Sequence, residues 1–313
     1  MITHFLLIAV GILALYFGAI YLVEGARGLA LRAGMSTFAV AATVVALGTS
    51  CPELVVTLIA AVTGSSEVAL GNVIGSNIAN LALVLGLSCL FLELVVPKSL
   101  QKVDYPFLLA LTGLLYIQSF DGTLGRFDGF ILALVCAGYL HYTVTSPHEA
   151  GETTDTDLPT VTVGKSWGLT VIGIIVVLVG AKLLVSSGIA VARYFGVREI
   201  VIGLTLVAVG TSLPELATSV VAAFKRDSDI TVGNVVGSNI INIGMALGLV
   251  SMVRPIPIPH GTTEYEFPVL LGVTIIPWLI IRRYGTIPRW AAAGILLLYG
   301  FFVLSLPYVR GAA

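Results

Sequence analysis

Polar residues interrupt long apolar runs at only a few places along this chain. A helix that crosses a bilayer needs about 20 mostly apolar residues. On that measure the pattern predicts ten segments: 3–24, 37–61, 68–90, 104–119, 127–145, 165–190, 199–224, 230–252, 266–282 and 288–307. The first and sixth extend by the same pattern to about residues 34 and 195, long enough to be tilted. The longest polar stretch, Thr145 to Val163, is acidic, rich in threonine and holds two prolines. It predicts a flexible linker; its Glu149, Glu152, Asp155 and Asp157 have no EF-hand spacing. The expected fold class is all-α integral membrane, ten transmembrane helices in two inverted five-helix repeats. Residues 1–144 form the first repeat, 145–164 the acidic linker and 165–313 the second repeat.

The repeat is visible in the letters. Ala46 to Leu54 reads A-L-G-T-S-C-P-E-L, and Ala208 to Leu216 reads A-V-G-T-S-L-P-E-L, 162 residues later. Each word is followed by a second, G-N-V-I-G-S-N-I-A-N at Gly71 to Asn80 and G-N-V-V-G-S-N-I-I-N at Gly233 to Asn242. Val45 to Gly86 aligns with Val207 to Gly248 without a gap, about half the positions being identical. With an odd number of helices per half, the second half enters the bilayer from the opposite side. Such inverted repeats place substrate sites near the midplane, where the halves meet.

Composition narrows the class. The chain has 313 residues, of which 57% are hydrophobic and 11% charged, against about 25% charged in a soluble domain. It therefore reads as a multi-pass protein of the cell membrane in contact with lipid. The net charge of −1 gives no basic field for nucleic acid. Cys51, Cys89 and Cys136 lie in apolar segments without a disulfide or metal spacing and read as small core residues. His4, His141, His148 and His260 fall near segment ends and suggest solvated or interfacial roles. The first apolar run, Ile2 to Val23, is too long for a signal-peptide core and lacks a basic leader. With the N-terminus outside, inner loops hold ten of the sixteen lysines and arginines, Arg27, Arg32 and Lys225 among them. The excess predicts that both termini are outside.

Most acidic residues lie in loops or at segment ends; only Glu53 and Glu215 sit deep in expected spans. A carboxylate at the bilayer centre costs about 2.5–3.5 kcal/mol on insertion scales, so a duplicated one is a functional candidate. Pro52 and Pro214 each remove a helical hydrogen bond and free carbonyls around Gly48 and Gly210, close to Ala46, Thr49, Ala208 and Thr211. Free carbonyls at membrane depth line a cavity or are buried in protein. Thr49, Ser50, Thr211 and Ser212 add hydroxyls, and Ser76, Asn80, Ser238 and Asn242 add a polar face at helical i, i+4 spacing. Asn77 reads as a structural amide, and the GxxxG pairs Gly71–Gly75 and Gly233–Gly237 as close-packing surfaces. Carboxylate, hydroxyl and carbonyl oxygens are the ligands of a hard cation such as Ca²⁺ or Na⁺. Two ionised glutamates balance one Ca²⁺, two Na⁺ or two protons. Competition at one site, with access switched between faces, is antiport.

The doubled G-T-S-x-P-E and G-N-x-x-G-S-N-x-x-N words resemble the α-repeats of the cation/calcium exchanger superfamily, most closely its prokaryotic sodium/calcium exchangers. The resemblance implies a site of Glu53 and Glu215 flanked by Asn80 and Asn242, with hydroxyls of Ser50, Ser76, Ser212 and Ser238. It also implies backbone oxygens of Ala46, Thr49, Ala208 and Thr211. It further implies that the first and sixth helices slide over the other eight. Some archaeal members and the potassium-dependent branch carry aspartate where this chain has Asn242, which argues against a K⁺ site. Proton-coupled members usually lack the Thr-Ser-x-Pro-Glu wording.

The expected function is exchange of Na⁺ for Ca²⁺, with proton-coupled exchange of Ca²⁺ or another divalent cation as the alternative. Ca²⁺ and Na⁺ are cargo; no cofactor or obligate protein partner is expected. A cation channel would need a selectivity-filter repeat or a charged ring at a pore mouth, neither of which the sequence offers. A membrane-embedded hydrolase would need a histidine, metal triad or serine–base pair beside the acids.

Overall fold

Proline and glycine set the ends of the helices. The structure, a computed structural model, describes residues 2–33, 35–98, 100–146, 162–196 and 208–309. Residues 147–161 of the expected linker, with its four acids, and the start of the seventh expected segment lie outside the described residues.

The helices run in chain order as α1 (Ile2–Ala33), α2 (Thr37–Thr49), α3 (Cys51–Val62), α4 (Ser66–Phe91), α5 (Tyr105–Gln118) and α6 (Arg126–Thr145). Then follow α7 (Val163–Tyr194), α8 (Leu213–Phe224), α9 (Ser228–Val253), α10 (Thr262–Tyr284) and α11 (Arg289–Val309). Pro52, Pro106 and Pro214 stand in the first turns of α3, α5 and α8, where the missing N–H costs little, and Pro268 follows the π-helical turn Thr262–Glu266 inside α10. Gly285, at φ 72°, closes α10 in the left-handed conformation. Ser36 and Asp227 cap helix starts by accepting from the N–H groups of Ala39 and Ile230, each at 3.0 Å.

Among the described residues seven helices are long and apolar enough to cross a membrane, or eight when α2 and α3, bent by 48°, are one span. The molecule is thus an all-helical membrane protein with a two-stranded clip. The fourth and seventh expected segments are helical as well, in α5 and α8, but fall outside that set.

α4 and α9 carry the second word of each pair, and they form the centre. They are buried over 78% and 83% of their most apolar stretches, against 28–39% for the other five spans. α1 and α7 lie at the margin and pack on each other. Their expected extensions are present, to Ala33 and Tyr194. Their glycines interlock in opposite directions. A Cβ on Gly11 would lie 2.9 Å from the Gly180 carbonyl, one on Gly18 2.8 Å from the Val177 nitrogen, and one on Gly25 2.4 Å from Thr170 Oγ1. The two helices are therefore antiparallel and touch backbone to backbone. The outer faces of α1 and α7 show Phe5, Val10, Leu13, Ile172, Ile175 and Val179, as a lipid-facing surface requires.

α5 and α10 are clipped at both ends. Thr123–Leu124 pairs antiparallel with Ile256–Pro257 at one end, and Val95 bridges to Thr286 at the other. Residue 257 is the repeat counterpart of 95, and 286 that of 124, so the two clips are related by the same offset of 162.

One expectation is amended here. Asp104 and Glu266, also repeat counterparts, stand at segment ends as the sequence suggests, yet both are buried within protein, at 0% and 4% exposure. Each ends a π-helical turn two residues before a proline, Pro106 or Pro268, and Tyr139 donates to Asp104 Oδ1 at 3.0 Å.

Candidate cation site

The break between α2 and α3 exists because Pro52 has no N–H to continue the ladder. Ser50 sits at the corner with φ −81° and ψ 4°, and Ser212 at the matching corner with φ −86° and ψ 5°. Glu53 and Glu215 follow in the first turns of α3 and α8, both at 0% exposure.

The halves reach across each other at this point. Ser50 Oγ donates to Glu215 Oε1 at 2.9 Å, and Ser212 Oγ to Glu53 Oε1 at 3.5 Å. Each carboxyl group therefore accepts from the serine one turn before the other. Ser238 Oγ also donates to Glu215 Oε1, at 3.4 Å, and Ser76 Oγ lies 3.3 Å from Thr211 Oγ1. Thr49 Oγ1 donates to Asn234 Oδ1 at 3.1 Å and to the Ala46 carbonyl at 3.3 Å. Ala46 is fully buried; Ala208 opens a single helical turn, and its side chain lies outside the description.

The expected asparagines stand at the start of π-helical turns. Asn80 lies in the turn Ala79–Val84 and Asn242 in Asn242–Leu247, both fully buried. Asn242 Nδ2 donates to Asn77 Oδ1 at 3.3 Å, so the amide read as structural touches the site.

Several oxygens are left over. Glu53 Oε2, Glu215 Oε2, Asn80 Oδ1 and Asn242 Oδ1 are buried without a hydrogen-bond partner among the described residues. An unpaired polar atom away from water costs a few kcal/mol. Here four of them belong to four expected ligands. Such oxygens suit a cation that gives up its hydration shell. Among the described residues no group of three or more His, Cys, Asp or Glu side chains could hold a metal ion. A cation held here leans on two carboxylates and neutral oxygens. A separate cavity of about 360 Å³, lined by Tyr116, Asp121, His260 and Glu264 among others, contains no residue of the duplicated words.

Two residues escaped the sequence reading, Asn72 and Asn234. Asn72 Nδ2 donates to the Glu53 carbonyl at 3.3 Å and to Thr57 Oγ1 at 3.0 Å. Asn234 Nδ2 donates to the Glu215 carbonyl at 3.4 Å and to Ser219 Oγ at 3.0 Å. The signal was present: Asn72, Ser76 and Asn80 continue one stripe at intervals of four.

The family model described as sodium/calcium exchanger protein matches residues 3–145 and 165–306. An uncharacterized membrane protein of Methanocaldococcus jannaschii is 37% identical over 308 residues, covering 97% of each chain. The sodium/calcium exchanger MaX1 of Methanosarcina acetivorans is 29% identical over 356 residues, covering 99% of this chain and 100% of that one. A solved structure of the sodium-calcium exchanger NCX_Mj superposes with a TM-score of 0.86 at 35% identity, covering 97% of this chain and 99% of that one.

Proposed function

The chain belongs to the sodium/calcium exchanger family, and from that premise we propose that it drives Ca²⁺ across the membrane against Na⁺. It is a cation/calcium exchanger, a transporter rather than an enzyme. The coupling ion, the ligand set and the topology are our own reading.

The observation that carries it is the reciprocal pairing of Glu53 and Glu215 with Ser212 and Ser50, which leaves one oxygen of each carboxyl group without a partner among the described residues. Two carboxylates neutralise one Ca²⁺; with no ion they repel each other in a medium of low dielectric constant. An occupied site is thus favoured over an empty one, whichever cation fills it. Asn80 and Asn242 complete the cradle with amide oxygens, and Ser50, Ser76, Ser212 and Ser238 supply hydroxyls. Backbone oxygens of Ala46, Thr49, Ala208 and Thr211 line the bends. Ca²⁺ accepts six to eight such oxygens in flexible geometry. Several Na⁺ ions spread over the same oxygens displace it.

The scaffold in this reading is ten spans in two inverted five-helix repeats, 1–144 and 165–313, joined by the linker 145–164, with both termini outside. Residue pairs related by the offset of 162 recur in the bends, the clips and the glycine contacts, which supports the inverted repeat. α1 and α7, joined through glycine rather than by interlocked large side chains, are suited to slide together and expose the site to one face at a time.

The test is flux. Proteoliposomes loaded with Na⁺ and diluted into Na⁺-free buffer should take up ⁴⁵Ca²⁺, and uptake should collapse without internal Na⁺. Uptake driven equally by a pH gradient would replace Na⁺ with H⁺ as the coupling ion. Flux that needs no counter-ion gradient would refute antiport.

A further inference from the structure

We propose that Asn72 and Asn234 are positioning residues for ion exchange, each fixing the backbone of the adjacent glutamate so that its carboxylate meets the cation at a set depth. The proposal rests on the exchange reading and extends it to two side chains behind the candidate ligands.

The need arises from the bend. Glu53 and Glu215 lie in the first turn of a helix, directly after the bend, and each backbone carbonyl has a second lone pair that can accept from a side chain. Across the bend proline thins the backbone ladder to the bonds through Ser50 and Ser212, which accept from Leu54 N and Leu216 N at 3.0 Å, so the preceding helix stiffens this turn only weakly. The neighbouring helix adds lateral support, one amide on each side. The two grips match closely, 3.3 and 3.0 Å in one half and 3.4 and 3.0 Å in the other. In both, one NH₂ group holds the glutamate carbonyl and the hydroxyl one turn further on, joining α3 to α4 and α8 to α9.

Chemistry selects the residue type. Only an amide of this length presents two N–H donors to two acceptors. An aspartate would turn its own oxygens toward the carbonyl and add a third negative charge. An alanine would leave the buried Thr57 or Ser219 hydroxyl short of a partner. Among the described residues neither amide donates to a carboxylate oxygen, so both act through the backbone.

Asn234 does more. Its Oδ1 accepts from Thr49, the residue before Ser50, and Ser50 in turn donates to Glu215. One side chain thus ties the glutamate of the second half to the bend of the first.

The experiment compares wild type, Asn72→Ala, Asn234→Ala, Thr57→Val and Ser219→Ala in Na⁺-loaded proteoliposomes, reading KM and kcat for ⁴⁵Ca²⁺ uptake. The thermal midpoint of each purified protein is measured with and without Ca²⁺. Loss of a hydrogen bond of this kind predicts a rise in KM of about five- to tenfold for the asparagine variants and about two- to threefold for the hydroxyl variants. In every variant kcat stays within about twofold, and the midpoint rise produced by a fixed Ca²⁺ concentration shrinks. A purely structural role would lower the midpoint equally with and without Ca²⁺ and leave KM unchanged, which overturns the proposal. If an asparagine variant does not fold, the hydroxyl variants decide, and an unchanged KM in both overturns it. A wild type indifferent to the Na⁺ gradient sinks the exchange reading alone; the Ca²⁺-dependent midpoint shift then decides the role of the amides, an undiminished shift in Asn72→Ala and Asn234→Ala overturning it.

Discussion

The hydroxyl of Ser50 lies 2.9 Å from Oε1 of Glu215, a hydrogen bond between residues 165 positions apart that joins the two halves at their buried acids. The mirror contact, Ser212 to Glu53, is longer at 3.5 Å. Hydrogen bonds to charged groups contribute about 1.5–3 kcal/mol. Ser50→Ala should therefore raise the KM for Ca²⁺ about tenfold, and Ser212→Ala about threefold. Equal effects in ⁴⁵Ca²⁺ uptake would show that the asymmetry has no bearing on binding.

Asp227 serves two partners. Its Oδ1 caps α9 at Ile230, and its Oδ2 meets Arg27 Nε of α1 at 2.5 Å, while the side chain is 7% exposed. Asp227→Ala should lower stability by about 2 kcal/mol, and Asp227→Asn by less, because an asparagine retains the cap. Lys225→Gln should change little, because Lys225 is only half-buried and its partner Glu24 is exposed. Thermal unfolding in detergent gives the order; a Lys225 variant as unstable as Asp227→Ala contradicts it.

The glycine seam between α1 and α7 leaves no room for side chains. A Cβ at Gly25 would approach Thr170 N to 2.5 Å, and one at Gly173 would approach Leu22 N to 2.5 Å, whereas Gly168 has nothing within 4 Å. Gly25→Ala and Gly173→Ala should each cost about 1–3 kcal/mol through overpacking. They should also slow exchange, since the seam is the one we assign to sliding. Gly168→Ala should be neutral in both respects, and a Gly168 variant as impaired as the others would remove the seam from the argument.

Cys51 stands one residue from Pro52 and is partly exposed, whereas Cys89 and Cys136 are buried. Its Sγ donates to the Leu47 carbonyl at 3.3 Å. A methanethiosulfonate reagent should inhibit wild-type uptake severalfold. Cys51→Leu, which copies Leu213 of the second half, should remain active and resist the reagent. Persistent inhibition of that variant would move the reactive thiol elsewhere.

The sequence made the doubled acids legible because a carboxylate inside an apolar run is costly and its repetition at one offset is conspicuous. Serine and asparagine at intervals of four could be placed on one helix face for the same elementary reason. Asn72 and Asn234 share that stripe, but in the sequence they resemble any packing residue beside a glycine. Only the fold brings them to the glutamate carbonyls. The π-helical turns at 79–84 and 242–247 left no mark in residue type, because an i to i+5 hydrogen bond depends on neighbouring helices rather than on local propensity. Asp104 and Glu266 were placed at segment ends by hydropathy, which measures the run they sit in and not the protein packed around them.

The central claim is that one Ca²⁺ and several Na⁺ compete for Glu53 and Glu215. Equilibrium binding of ⁴⁵Ca²⁺ to the purified protein, titrated with Na⁺, tests it most directly. The account predicts about one Ca²⁺ per chain, displaced by Na⁺ with a Hill slope of about two or more, and no measurable binding by Glu53→Gln or Glu215→Gln. Ca²⁺ binding that ignores Na⁺, or that survives in both glutamine variants, would contradict it.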